Sequence, residues 1–210
     1  MSVIASQFAR PHGLLGKLIG RGMARGNAEL SRWVVQQVGE HAAGDTAKIA
    51  EIGPGPGIGL QETLRRFPDA RVWGIDLSPE MLAQSRKRNL AEVRYGRLVL
   101  VQGDIARLAD LAPLDIVIAN HVLYFWHRPA DELAAIRACL RDGGLLALGY
   151  QLKQNMPPLA QKHFPQQGHV LYESDEDLER LLRSAGFSAV SNRIKGQPDA
   201  PQGRLAMACA

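Results

Sequence analysis

From Lys48 onward the sequence switches repeatedly between two periods, and that alternation restricts the fold more than any other feature. Short apolar runs of strand length, "KIAEIG" (48–53), "RVWGID" (71–76), "LVLVQGD" (98–104), "LDIVIANH" (114–121) and "GLLALGY" (144–150), are separated by stretches with helical spacing. In "GLQETLRRF" Leu60, Leu64 and Phe67 recur near a helical period, and in "ADELAAIRACL" Leu133, Ile136 and Leu140 stand at i, i+3 and i+7. "SPEMLAQSRKR" starts like a helix, with Ser78 as N-cap and Pro79 at the first helical position. "SDEDLERLLRSAGF" carries a capping box from Ser174 to Asp177 and stops at Gly186. Two last strands are expected near "SAVSNRI" and "RLAMAC". Strands alternating with helices predict an α/β domain, a mostly parallel sheet with helices on both faces. Ligands of such sheets lie at the carboxyl ends of the strands. Here those ends carry Glu51, Asp76, Asp104 and the pair Asn120–His121.

The 210 residues suffice for one domain with a full core, and residues 1–210 are read as one. Residues 1–45 precede the first strand as an expected helical cover, and 151–173 form a connection long enough to be a lid. Two cysteines, Cys139 and Cys209, make neither a disulfide framework nor a metal motif. The N-terminus shows no signal peptide, and no apolar run approaches the roughly 20 residues needed to cross a bilayer. A cytoplasmic protein is expected. The net charge of +4 reads as a solvated basic surface, so no nucleic-acid partner is expected.

Between the first strand and its helix lies "EIGPGPGIGL". A P-loop would need a Lys-Ser or Lys-Thr after the glycines, and G-x-G-x-x-G fails in both registers, ending on Ile58 or Leu60. Phosphates bind backbone N–H groups at such turns, and Pro54 and Pro56 have none to give. Glu51 would also repel a pyrophosphate. The loop suits a nucleoside without phosphates that carries positive charge.

"EIGPGPG" resembles the E/D-x-G-x-G-x-G signature of class I S-adenosylmethionine (SAM)-dependent methyltransferases, and the likeness continues in order from about residue 48 to 150. It implies a seven-stranded Rossmann-like sheet ending in an antiparallel hairpin, with SAM as cofactor and S-adenosylhomocysteine as product. The cofactor would meet Glu51, Gly53, Gly55 and Gly57 in the loop. Asp76 would hold the ribose hydroxyls, with Leu77 and Met81 of "LSPEML" near the adenine. Gly103, Asp104 and Ile105 of "GDI" look like the adenine-edge motif, and Asn120 completes the set. "LRDGGLLAL" resembles the usual L-x-P-G-G-x-L, with Asp142 in place of the proline. The general look is of small-molecule enzymes related to ubiquinone-type methyltransferases.

Methyl transfer from a sulfonium is an in-line displacement whose main demand is positioning. A hydroxyl acceptor also needs a base, and His121 is the first candidate, since it follows the fourth strand. Tyr124 is a candidate to orient the acceptor. His163 and His169 are further bases if the lid closes. Phe125, Trp126, Phe164 and Tyr172 are read as an apolar acceptor pocket. No catalytic metal is expected, because no carboxylate cluster marks the fourth strand. The N-P-P-Y signature of amide and nucleobase enzymes is absent; "ANHVLY" stands there. The partner is thus a small-molecule acceptor, by O- or N-methylation. Two alternatives stay open: a non-catalytic SAM-binding module, and a lipid-headgroup enzyme docked on membranes. The second rests on "GLLGKLIGRGMARGN", with Lys17, Arg21 and Arg25 on one face and Leu14, Leu15, Leu18, Ile19 and Met23 on the other. Its glycines favour a segment packed on its own domain. The oligomeric state is not legible.

Overall fold

The computed structural model describes residues 28–42 and 46–210. Most of the expected N-terminal cover, including Lys17, Arg21 and Arg25, lies outside them. Helix α1 spans 28–41. Then follow β1 (Lys48–Ile52), α2 (Ile58–Arg66), β2 (Arg71–Asp76), α3 (Pro79–Arg88), α4 (Leu90–Arg94), β3 (Leu98–Gln102), β4 (Leu114–Asn120), α5 (Pro129–Cys139), β5 (Leu140–Tyr150), α6 (Pro158–Gln166), α7 (Asp175–Ser184), β6 (Ser188–Gln197) and β7 (Ala200–Cys209).

The seven strands form one sheet in the order β3-β2-β1-β4-β5-β7-β6. β3 through β5 are parallel neighbours, while β7 is antiparallel to both β5 and β6. This is the expected seven-stranded, mostly parallel sheet with a C-terminal antiparallel pair. Chain order reverses between β1 and β4, so the crevice above their carboxyl ends is the switch point of the fold.

Successive side chains of the central strands enter opposite cores. Ala50 and Ile52 of β1 join Ile75, Val117, Ala119 and Leu148 under Leu133 and Ile136 of α5 and Leu178 and Leu182 of α7. Ile49 of the same strand joins Val72, Ile116 and Ile118 under Val34 and Val38 of α1 and Leu60 and Leu64 of α2. Both faces are therefore covered, and the strands read as unbroken apolar runs for that reason. Each buried Val, Ile or Leu side chain contributes about 1.5–3 kcal/mol by leaving water.

The helix starts follow the capping residues. Ser78 accepts from the Met81 amide at 3.3 Å, with Pro79 heading α3. In α7 both halves of the box form: Asp177 N to Ser174 Oγ at 3.2 Å and Ser174 N to Asp177 Oδ2 at 3.1 Å. One boundary differs from the expectation. β5 begins at Leu140 rather than near Gly144, because Leu140 pairs with Leu114 across a register shift. Arg141 Nε meets Asp115 Oδ1 there at 2.5 Å.

Candidate active site

A cavity of about 580 Å³ opens at the switch point, lined from the glycine loop, the ends of β1, β2 and β4, the turn after β3, and one residue of α1, Ser31. Glu51, Gly53, Gly55, Asp76, Leu77, Met81, Gly103, Asp104, Ile105, Asn120 and His121 all border it. Gly57 and Tyr124 do not.

The loop's hydrogen bonds explain its composition. Gly53 N donates to Ile75 O at 2.8 Å, Gly55 N to Asp76 Oδ2 at 3.0 Å and Gly57 N to Pro54 O at 3.0 Å. Pro54 and Pro56 have no N–H. Every amide from 53 to 57 is thus missing or already engaged, and none of the five is left for a phosphate. Gly55 and Gly57 have φ of 52° and 81°, in the left-handed region that suits glycine. Gly57 heads α2 instead of touching the cavity; a Cβ there would stand 2.4 Å from Ser85 Oγ, and its carbonyl accepts from Asn89 Nδ2 at 3.1 Å.

Asp76 is set at the end of β2 by two amides, Gly55 N on Oδ2 and Ser78 N on Oδ1 at 2.9 Å. Burial raises its carboxyl above the ordinary range, and these two donors act against the rise. Each oxygen keeps a lone pair for a ligand hydroxyl. Asp104 N-caps the turn after β3 by accepting from Ala106 N at 3.0 Å, which leaves its other oxygen exposed at the cavity.

Glu51 is the unusual group. It is 2% exposed, and its Oε2 has no hydrogen-bond partner. Burial pushes its carboxyl up to about 8; the Asn120 amide opposes this, and the Asp76 charge adds to it. The Asn120 amide is near enough to act on this carboxyl, yet neither of its two buried polar atoms forms a hydrogen bond of normal geometry. Unpaired buried polar atoms are costly. Clustered on a cavity wall, they fit a ligand that brings an ammonium and further polar groups. Two glycines absent from the expected site make room for this pair. A Cβ on Gly59 would lie 2.2 Å from Glu51 Oε1, and one on Gly149 would lie 2.2 Å from Asn120 Oδ1. A glycine on the otherwise apolar face of a helix was the available signal for Gly59. Gly149, inside a strand, offered a similar one.

His121 follows β4 with φ of 55°, a left-handed conformation uncommon for a side-chain residue, and its amide donates to Gly149 O at 2.8 Å. Burial holds its imidazole down to about 4, so it is neutral at physiological pH. An unperturbed histidine titrates near neutrality, and burial takes this one out of that range. Tyr124 lies behind the wall. Its ring centroid is 6.3 Å from that of His121, and its hydroxyl donates to Gln151 O at 3.3 Å and accepts from Gln151 N.

Phe125 and Trp126 line the cavity, whereas Phe164 and Tyr172 pack behind them, with the Phe125 and Phe164 rings 5.3 Å apart. No residue of 151–173 borders the cavity, so His163 and His169 stand apart from it. His169 instead meets Phe125 edge-on at 5.1 Å. The near end of α5 contributes Arg128, Asp131, Glu132 and Ala135, whose spacing around the first helical turns was readable only with the cavity in view. Among the described residues no three His, Cys, Asp or Glu side chains converge to hold a metal ion, and no helix is long and apolar enough to cross a membrane.

Comparison with known proteins agrees with this geometry. Residues 50–148 match the family described as Methyltransferase domain. Trans-aconitate 2-methyltransferase of Azoarcus sp. (strain BH72) is 36% identical over 104 residues, which are 50% of this chain and 39% of that protein. Malonyl-[acyl-carrier protein] O-methyltransferase of Halalkalibacterium halodurans is 32% identical over 102 residues, 47% of this chain and 36% of the relative. The chain thus spans about two fifths of these relatives' length. Among solved structures, magnesium protoporphyrin IX methyltransferase from Synechocystis PCC 6803, with bound S-adenosylhomocysteine, superposes with a TM-score of 0.68 at 17% identity, covering 89% of this chain and 84% of that one. An O-methyltransferase family protein from Burkholderia thailandensis gives 0.70 at 18%, covering 91% and 58%. These two likenesses concern the fold. The matched methyltransferase stretch spans just under half of the chain, from β1 to β5, and holds the glycine loop and the strand ends that border the cavity.

Proposed function

We propose that the protein binds SAM in the switch-point cavity and transfers its methyl group to a small-molecule acceptor. The observation that carries this is the loop from 53 to 57, which has no amide left for a phosphate, set against the buried Glu51 carboxyl, whose Oε2 has no partner. In this reading Glu51 and Asn120 take the ammonium end of the cofactor. Asp76 accepts from both ribose hydroxyls, and Asp104 meets the adenine edge between Leu77, Met81 and Ile105. Gly53, Gly55 and Gly103 give the backbone close approach, while Gly57 acts through the start of α2.

SAM supplies a methyl carbon activated by the sulfonium, so the residues need only align acceptor, carbon and sulfur. His121, neutral and facing the cavity, accepts the acceptor's proton. Tyr124 braces the wall beside it through Gln151 and does not touch the substrate. An oxygen acceptor is favoured, because the malonyl relative is named for oxygen transfer. The reaction is placed in the cytoplasm, without a metal ion.

Calorimetry tests the cofactor. SAM and S-adenosylhomocysteine should both bind, and Asp76→Ala should weaken them by two hydrogen bonds to a charged group, about 1.5–3 kcal/mol each. Tighter binding of NAD than of either would refute the assignment. Mass analysis of pooled metabolites incubated with SAM then identifies the acceptor.

A further inference from the structure

Residues 86–97, "RKRNLAEVRYGR", hold five Arg or Lys and one Glu, a net +4 equal to the formal charge of the whole chain. The remainder of the sequence is balanced. These residues run from the last turn of α3 through α4 to the turn before β3. Arg86, Lys87, Arg88 and Arg94 are exposed. Glu92 is taken by Arg97 at 2.7 Å, and Arg88 Nε is tied to Pro56 O at 2.9 Å. Arg86, Lys87 and Arg94 make no ion pair with any described residue.

Cations in a last helical turn complement the helix dipole, which accounts for Arg86, Lys87 and Arg88. The same holds for Arg94 at the end of α4, but the dipole does not account for the apolar groups among these charges. Leu90 is 43% and Tyr95 83% exposed, two of the five large hydrophobics left open among the described residues. The next residue, Gly96, turns with φ of 75° into open space. The corner is an exposed turn with an aromatic at its tip.

We propose that residues 86–97 dock the protein on an anionic lipid bilayer, with Leu90 and Tyr95 entering the headgroup region and Arg86, Lys87, Arg88 and Arg94 meeting lipid anions. A bilayer accepts a protruding tip without shape complementarity, and tyrosine and leucine beside cations suit its interface. Single-stranded nucleic acid calls for a groove that follows its backbone, and a protein partner for roughly 800 Å² of matched face. A turn and a short helix offer neither. Arg88 and Asn89 touch the glycine loop, but Arg86, Lys87, Leu90, Arg94 and Tyr95 do not border the cavity, so variants at these five test the proposal apart from the proposed activity.

The test is co-sedimentation of the full chain with phosphatidylcholine vesicles, with and without about one third phosphatidylserine, across a salt series. Binding should need the anionic lipid and fall with salt. Neutralising one cation should weaken it about fivefold, and Arg86→Gln/Lys87→Gln/Arg94→Gln together about 100-fold. Leu90→Ser/Tyr95→Ser should remove the binding that survives at high salt. All these side chains are exposed, and an unchanged circular dichroism melt verifies the fold. Absence of anionic preference, or undiminished binding by the triple variant, overturns the proposal. So does loss of binding through Lys17→Gln/Arg21→Gln/Arg25→Gln alone, which would assign docking to the N-terminal segment. Single-stranded RNA that binds this surface and displaces it from vesicles at equal salt also overturns it.

Discussion

Replacing Gly59 by alanine should separate stability from cofactor binding. Alanine in a helix ordinarily gains up to about 1 kcal/mol over glycine. At Gly59, whose backbone is outside the left-handed region, nothing in the conformation opposes the change. The obstacle is Glu51: the new Cβ would stand 2.2 Å from Oε1 and 2.8 Å from both Cδ and Oε2. The carboxyl must therefore move by about 1 Å to reach normal contact. The cavity beside it gives it somewhere to go, so the melting temperature should stay within about 4 °C of the parent. The loss falls on the ligand. One charge-assisted hydrogen bond, about 1.5–3 kcal/mol, corresponds to a SAM dissociation constant raised about 10- to 150-fold. Calorimetry with SAM and S-adenosylhomocysteine, beside a melting curve, reads both effects. In a Glu51→Ala background the same substitution should cost little more, because both act through one carboxyl. A folded Gly59→Ala protein with parental affinity would refute this placement of Glu51.

The same carboxyl sets a pH dependence. Its pKa rises from 4.5 to about 8 in the fold, so its contribution to stability is present below 4.5 and lost as pH rises through 8. Relative to Glu51→Gln, the ligand-free protein should lose melting temperature over that window. SAM binding at neutral pH should release a proton, seen as a dependence of the binding heat on buffer ionisation; no buffer dependence would contradict this. For His121, held at about 4, turnover should show no histidine-like rise near neutrality. His121→Ala should cut turnover about 100-fold and spare SAM affinity, and a variant that keeps most activity would remove it from proton transfer. Deleting residues 1–27 should abolish turnover and weaken SAM binding if that segment covers the cavity; a fully active truncation would disprove the cover.

Much of this molecule was legible because its instructions are local. The apolar runs marked the strands, Ser78–Pro79 and Ser174–Asp177 marked two helix starts, and the polar residues at the strand ends marked the cavity. What escaped depends on distance in space. Gly59 and Gly149 matter through side chains eight and twenty-nine positions away in the sequence. Tyr124 reads as a substrate contact until Gln151 is seen to occupy its hydroxyl. The histidine's proton affinity is set by surrounding apolar packing, which no short stretch of sequence encodes. The segment 151–173 is long enough to be a lid, yet its Phe164 and Tyr172 pack behind the cavity wall.

The position of β7 bears on how the chain folds during synthesis. β7 is made after β6 but sits between β6 and β5. Until it emerges from the ribosome, Leu145–Tyr150 of β5 presents an open apolar strand edge, and β6 has no strand to pair with. Such an edge invites pairing with another chain. The nascent protein therefore passes through an interval in which the cavity-forming strands β1, β2 and β4 can assemble while the sheet remains adhesive on one side. A charge introduced in β7, at Ala206 or Ala208, should lengthen that interval and show itself as inclusion bodies before it shows as lost activity.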